Sequence, residues 1–260
     1  MIRRLAAALI FLAAASPAAA DWQEIKGDHF LVYYSGDEKF ARETARRAEL
    51  YYGQIASDLG YPRYSNFWQW ENRVKIYIYP TKLEFQKDSG QPDWSHGMAD
   101  YFGKRILSYR QSEFFLDGLL PHELTHLIFR DFVGFKGEVP LWIDEGVAQW
   151  EEPKKRAVAR DAAAYLFQNG LSLSLKELTA IQDLSGFTEE KVHHFYMQAV
   201  TLVDFLIRKH GANSFTAFCR QLRDGKDLNS ALRSAYPGSI GSLTLLEAAW
   251  KKDIVENVKK

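Results

Sequence analysis

LLPHELTHLIF, residues 119–129, places two histidines four positions apart in an otherwise apolar segment. The leucines recur at the spacing of one buried helical face, which predicts a helix over residues 118–133. Residues four apart lie on the same side of a helix, so His122 and His126 project in one direction. Two interpretations follow: the imidazoles bind one metal ion together, or this is an ordinary core helix that carries two histidines.

Glu123 favours the first interpretation. It lies beside the two imidazoles, too far round the helix to join them as a ligand but well placed to reach a water at the metal. A carboxylate in that place acts as a general base, for which a purely structural metal site has no use. The pattern H-E-x-x-H therefore indicates hydrolytic chemistry, with Glu123 as the candidate base.

A third ligand is needed, because catalytic zinc sites usually take three protein ligands and leave one position for water. The segment 134–140, GFKGEVP, breaks the helix and permits the chain to reverse. A second helix that begins at Pro140 and runs antiparallel to the first would bring Glu145 level with His126. Its neighbours are apolar, and burial on a metal avoids the penalty of burying an unpaired carboxylate. Glu145 is therefore the expected third ligand, beside His122 and His126.

The first 20 residues have the three parts of a secretory signal peptide. Arg3 and Arg4 precede an unbroken apolar run over residues 5–15, and small residues at 18–20 offer a cleavage site. A retained membrane anchor is the alternative, but the apolar run is too short to span a bilayer comfortably. We expect export to the periplasm or the medium, cleavage near Ala20, and no membrane-spanning segment in the mature chain.

Composition and net charge favour some classes of protein and exclude others. The chain has 260 residues, of which 47% are hydrophobic and 14% aromatic, enough for a substantial core. The full chain has a formal charge of zero, and loss of Arg3 and Arg4 would leave a net charge of about −2, so no electrostatic footprint for nucleic acid is present. Cys219 is the single cysteine, which excludes an intrachain disulfide and predicts a small buried side chain.

The pattern of elements predicts an α+β fold for residues 21–260, read as one catalytic domain. Residues 21–111 form a sheet-bearing lobe with a small mixed or antiparallel sheet, and residues 112–260 form a helical lobe, with the candidate metal helix between them. Strands are expected at 29–34 and 74–79, a hairpin at 97–101 and 105–109, and a helix at 38–59. Further helices are expected at 140–152, 155–168, 193–210, 212–224, 227–235 and 242–257.

The metal motifs resemble those of the gluzincin zinc metallopeptidases. His122-Glu-Leu-Thr-His126 is followed by 18 residues and then Glu145, within PLWIDEGVAQW. More narrowly, residues 142–148 match the Trp-x-x-Glu-Gly-x-Ala pattern of the bacterial peptidase MA-like domain proteins, relatives of thermolysin. The likeness extends over most of the mature chain, because the predicted strands and later helices follow the order found in such domains.

The resemblance implies a role for each matched residue. His122, His126 and Glu145 would bind Zn²⁺, and Glu123 would be the general base. Gluzincins also place a tyrosine or histidine near the developing oxyanion. Tyr196 is the candidate here, because the helix that it opens should turn it inward.

Three assignments near the site stay open. Tyr196 is equally well explained as a core tyrosine with its hydroxyl bonded elsewhere. His193 and His194 are alternatives to it. Asp144 would orient a ligand imidazole, since metal-bound histidines usually donate their other N–H to a partner, or it is a solvated acid at a helix N-terminus.

Substrates of such enzymes lie extended along a sheet edge, so the expected partner is a peptide or protein. The strand at 105–109, or its hairpin partner from Gly97, would be that edge. The loop 88–96, with Trp94, is a candidate cover for the cleft and otherwise a plain surface loop. The aromatic run 64–70 is a candidate substrate shelf, although core packing explains it better.

Two other functions compete with a secreted zinc peptidase. One is an envelope binding protein with a structural zinc site, against which Glu123 argues. The other is a zinc hydrolase of non-peptide amides or cell-wall material, which shares the metal chemistry and differs only in its cleft. Among peptidases, the absence of an exopeptidase-type acidic cluster favours endopeptidase action.

Overall fold

The structure is a computed structural model that describes residues 22–60, 68, 70–91, 93, 95–110, 115–134 and 139–258. The predicted signal peptide, Trp94 and most of the aromatic run 64–70 lie outside these residues. Within the described part of the chain, every helix is too short or too polar to cross a membrane.

Five strands form one mixed sheet. They are β1 (Gln23–Lys26), β2 (Phe30–Tyr34), β3 (Val74–Tyr79), β4 (Gly97–Asp100) and β5 (Arg105–Tyr109), in the order β1-β2-β3-β5-β4. The three central strands β2, β3 and β5 are parallel to one another, and each outer strand is antiparallel to its neighbour. β2 and β3 alternate buried and less buried residues, as expected for strands that pack one face on a core.

The first helix, α1 (Glu38–Asp58), packs on β2 and on the candidate metal helix. Asp37 caps its first turn by accepting a hydrogen bond from the amide of Phe40 at 3.0 Å. Small and aromatic residues recur on its inner face, so the sheet and the later helices can approach it closely. These buried residues are Ala41, Thr44, Ala45, Ala48, Tyr51, Tyr52, Ile55 and Ala56.

The remaining helices begin with α2 between the strands and then follow β5. A π-helical turn, Phe115–Leu119, leads directly into α3. The bounds are α2 (Lys82–Ser89), α3 (Leu120–Val133), α4 (Leu141–Trp150), α5 (Pro153–Gln168), α6 (Leu175–Ala180), α7 (Glu189–His210), α8 (Ala212–Arg223), α9 (Leu228–Ala235) and α10 (Leu243–Val258).

One hydrophobic core runs from the sheet to the C-terminal helices. It joins Phe30 and Ile76 of the sheet to Leu124 of α3, Trp142 of α4 and Phe215 of α8, all fully buried. α3 and α4 therefore lie in the middle of the molecule, between the sheet and the later helices. This position holds the candidate metal residues on rigid, well-packed elements.

The α+β class predicted from sequence is confirmed, with a mixed sheet in the N-terminal part and a mostly helical C-terminal part. The hairpin of β4 and β5 is present, and Cys219 is buried as expected. Two strands were predicted as the sheet edge that binds substrate, and the prediction of β5 is wrong because β5 lies inside the sheet between β3 and β4. The strand at this edge is β4. β1, α2 and α6 are additional to the predicted elements.

Candidate metal centre

α3 carries the first three site residues near its N-terminal end. Pro121 lies in the first turn, where its missing N–H leaves no hydrogen bond unmade. Thr125 donates to the carbonyl of Pro121 at 2.6 Å, and the leucines of this helix are buried in the core. The opposite side presents His122 and His126, whose Nε2 atoms lie only 3.1 Å apart.

α4 supplies the third residue after the chain has reversed. Pro140 precedes its first turn, and the amide of Ile143 donates to the Pro140 carbonyl at 2.9 Å. Trp142, Ile143, Val147 and Ala148 are fully buried, so the helix is fixed in its rotation about its own axis. Glu145 is thereby turned toward α3, where its Oε2 lies 3.5 Å from Nε2 of His122 and 3.8 Å from Nε2 of His126.

These three atoms fit the geometry of a tetrahedral metal site. Ligands 2.0–2.1 Å from one ion at tetrahedral angles are about 3.3 Å apart, close to the 3.1, 3.5 and 3.8 Å seen here. Oε2 of Glu145 is also buried without a hydrogen bond to any described residue, which is unfavourable unless a cation completes its surroundings. His122, His126 and Glu145 are the group that could hold a metal ion within the described residues.

The far nitrogens of both imidazoles contact carboxylates. Nδ1 of His126 lies 3.4 Å from Oδ1 of Asp144, whose other oxygen accepts from Arg130 at 2.6 Å. Asp144 therefore lies where its predicted orienting role requires.

Nδ1 of His122 has a shorter contact, 2.9 Å to Oε1 of Glu152. Sequence reasoning missed Glu152. Its spacing offered a clue only within the helix predicted over residues 140–152, where residues seven apart share one face; in the structure α4 ends at Trp150 and Glu152 precedes α5.

Neighbouring charges shift the pKa values of the ionisable groups in this cluster. Burial disfavours the charged imidazole of His122, but the Glu145 and Glu152 carboxylates outweigh it and raise its pKa to about 10. Burial likewise opposes ionisation of Asp144, yet His126 and Arg130 hold its pKa down to about 2. The pKa of Glu145 is also below its usual range despite burial, because of the two imidazoles. Such a concentration of carboxylates around two imidazoles favours binding of a cation.

Glu123 and Tyr196 both lie at this cluster. Glu123 is buried in the first turn of α3, and its negative charge acts on His122. Tyr196 is half-buried on α7, and burial together with the charges of Glu145, Glu123 and Glu152 raises its pKa. The tyrosine therefore lies near enough to the site for three of its carboxylates to act on it.

The two alternatives to Tyr196 differ from it in their surroundings. His193 is exposed and His194 is only partly buried, on the first turns of the same helix. The charges of three carboxylates of the site act on Tyr196. Tyr196 is thus the better-placed of the three.

The edge strand β4 lies along α3 and therefore beside the site. At its start, Gly97 lies against the side chain of Leu119. At its end, Tyr101 donates from its hydroxyl to Asp131 of α3 at 2.7 Å. An extended chain paired with β4 would therefore pass along the helix that carries both histidines.

Comparison with known protein families identifies residues 67–256 as a match to the peptidase MA superfamily. The matched range covers about three quarters of the chain and includes both α3 and α4. No curated protein matches the sequence. On the strength of this match, the chain belongs to the peptidase MA superfamily.

Proposed function

We propose that this protein is an exported, zinc-dependent metallopeptidase. Membership of the peptidase MA superfamily supports metallopeptidase activity. The observation that carries the proposal is the convergence of three ligand atoms from partly buried residues, Nε2 of His122, Nε2 of His126 and Oε2 of Glu145, at tetrahedral spacing. The alternative core-helix interpretation accounts for neither this spacing nor the unpaired oxygen of Glu145.

The donor set favours zinc over the other common divalent ions. Two imidazole nitrogens and one carboxylate oxygen suit Zn²⁺, whereas Ca²⁺ and Mg²⁺ prefer six or more oxygen ligands. Three protein ligands also leave one tetrahedral position open, the arrangement of catalytic rather than structural zinc. Held by these three side chains, zinc would polarise the attacking water and the substrate carbonyl.

The protein's own residues perform the proton transfers. Glu123 takes a proton from the attacking water and later gives it to the leaving amine, which fits its position beside His122. The Tyr196 hydroxyl donates a hydrogen bond to the substrate carbonyl oxygen, on which negative charge develops. Its raised pKa keeps the hydroxyl protonated, as a donor must be.

The substrate is a peptide in extended form, paired with β4. A sheet edge offers unpaired backbone N–H and C=O groups, and an added strand satisfies them whatever its side chains are. Because β4 runs beside α3 from Leu119 to Asp131, a paired peptide passes the site along its length rather than entering by one end. This geometry supports endopeptidase action.

Replacement of the proposed base tests the function. We expect Glu123→Gln to keep about one zinc per chain and to lose roughly 10²–10⁴-fold in kcat/KM, because only the proton acceptor is removed. Zinc content by elemental analysis and cleavage of a peptide library measure both effects. Glu256→Gln, on an exposed face of α10, is the matched control and should behave as wild type.

Two results would contradict the proposal. Equal cleavage by wild type and Glu123→Gln would remove Glu123 from the mechanism. Zinc binding without cleavage of any peptide would leave a structural zinc protein or a hydrolase of non-peptide amides, and cell-wall amides would then be the next substrates to assay.

Export rests on the N-terminal sequence. The basic start, the apolar run over residues 5–15 and the small residues before Asp21 support removal of the first 20 residues during secretion. The mass of the protein recovered from the periplasm or medium should correspond to a chain that begins at Asp21. Recovery of the uncleaved chain in the membrane fraction would indicate a retained anchor instead.

A further inference from the structure

We infer that Glu152 is a positioning residue for the metal centre, acting through His122. The inference rests on the proposed function of this site. It starts from the asymmetry between the two histidines: Nδ1 of His122 lies 2.9 Å from Glu152, whereas Nδ1 of His126 lies 3.4 Å from Asp144. Only the first of these is a hydrogen bond of ordinary length.

A carboxylate at Nδ1 decides which nitrogen of the ring can bind a metal. Neutral imidazole carries one N–H and one lone pair, on different nitrogens. An ionised carboxylate only accepts hydrogen bonds, so Glu152 holds the N–H of His122 on Nδ1. When the ring gives up a proton to bind a metal, the lone pair is therefore on Nε2, which lies 3.1 Å from Nε2 of His126 and 3.5 Å from Oε2 of Glu145.

The surroundings of Glu152 hold its carboxylate in place. It is buried, and Oε1 also accepts from the ammonium of Lys155 at 2.8 Å. Glu152 precedes the first turn of α5, where the helix dipole favours negative charge, and the next residue is Pro153, whose backbone torsion is restricted.

Its side chain makes no hydrogen bond to the amides of α5, although it occupies the capping position. A glutamate that merely stabilised α5 would be expected to interact with those amides. Here the carboxylate instead contacts Nδ1 of His122 on α3. The carboxylate also accepts from Lys155 of α5, and its contact with His122 is what gives it a role at the metal centre.

The test is zinc affinity in the full chain, measured by competition with a chromophoric chelator. We expect Glu152→Ala to raise the zinc Kd by about 10–100-fold, because the ring of His122 loses its fixed orientation and tautomer. Glu152→Gln should lose less, since its amide oxygen still accepts from Nδ1. Glu256→Gln is the surface control and should bind as wild type.

A second readout separates positioning from stability. Co²⁺ bound in place of zinc reports its ligand geometry in its visible spectrum, and Glu152→Ala should change that spectrum. The melting temperature of the metal-free protein should fall little, because Lys155 is largely able to reach water once its partner is removed. A purely structural role predicts the opposite, a lower melting temperature with an unchanged spectrum.

The outcomes distinguish this inference from the proposed function. Zinc Kd values within twofold of wild type in both Glu152 variants, with wild type binding zinc, would overturn only the inference. Failure of the wild-type protein to bind zinc would overturn both. If Glu152→Ala does not fold, Glu152→Gln decides: a Kd raised severalfold supports positioning, and an unchanged Kd overturns it.

Discussion

Glu151, next to Glu152 at the end of α4, is only 1% exposed, yet neither of its carboxylate oxygens has a hydrogen-bond partner among the residues that the structure describes. Burial and the charge of Asp58 together raise its pKa to about 8, against the opposing charge of Arg156. Arg156 is itself engaged, since it donates to Asp58 at 2.9 Å and stacks over Trp150. The Glu151 side chain is therefore protonated at neutral pH in the folded protein.

This pKa predicts a stability that falls as pH rises. In the unfolded chain the carboxyl would ionise near pH 4.5, whereas in the folded protein it keeps its proton to about pH 8. Folding therefore retains a proton between these values, so stability declines through that window and levels off above it. Below pH 4.5 both states are protonated and the residue makes no difference.

Glu151→Gln removes this dependence, because its side chain never ionises. At pH 5 we expect variant and wild type to have similar melting temperatures. At pH 8.5 the free energy of unfolding of the variant should be higher by roughly 2 kcal/mol or more, which corresponds to a melting temperature about 4–8 °C higher. Thermal unfolding at both values measures the effect, with Glu256→Gln as an exposed control. An identical difference at the two pH values would contradict a buried, protonated Glu151.

At the scale of elements, α4 and α7 pack closely, which brings the helix that carries Tyr196 against the helix that carries Glu145. Gly146 follows Glu145, and a Cβ at its position would lie 2.6 Å from the carbonyl oxygen of Ala199 and 2.8 Å from Val203. Only a residue without a side chain allows the two helices to approach this closely. Packing thus explains the glycine of the Glu-Gly-x-Ala pattern. Its contact with Ala199 lies one turn along α7 from Tyr196.

Gly146→Ala should therefore destabilise the protein by about 1–3 kcal/mol, because the clash is with backbone and cannot be relieved by a rotamer change. We also expect kcat to fall more than zinc affinity, since α7 moves relative to the ligands. Gly53→Ala on the exposed face of α1 is the matched control, because a Cβ there meets nothing within 4 Å. It should stabilise by roughly 0.5–1 kcal/mol. Equal effects of the two substitutions would refute the packing argument.

For the whole molecule, the position of the metal centre links the sheet to the helical part. α3 packs against α1, β4 and α8, while α4 packs against α3 and α7. A metal ion that joins α3 to α4 would therefore stabilise elements from both parts of the chain. The hydrophobic core is continuous across them, which predicts one cooperative unfolding unit.

Chelation of the metal should accordingly lower a single melting transition rather than release one part first. At free zinc of about 100 times Kd, binding stabilises the folded state by about 2.7 kcal/mol, or about 5–10 °C for a chain of this size. Calorimetry with and without chelator measures the shift. Two separate transitions, only one of them sensitive to chelator, would show that the sheet and the helical part unfold independently.

Long periodic elements and the ligand spacing were predictable because they follow from local rules. The i, i+4 relation of His122 and His126 and the chain reversal before Pro140 are contained in a short stretch. α6 also had a local signature, the capping box of Ser174 and Glu177, but it is short. β1 had no local signature in the sequence. Three of its four residues are exposed, so no alternation of apolar residues marks it as a strand.

By itself, the sequence determined the α+β class, the three candidate ligands and the candidate base, because helical periodicity and short-range spacing decide which side chains share a face. Only the tertiary structure decided which strand forms the edge beside α3, which carboxylate reaches Nδ1 of His122, and which carboxylates act on Tyr196. Each of these depends on how separate elements pack. The contact of Glu152 with His122, 30 residues apart, exists only because α4 returns along α3.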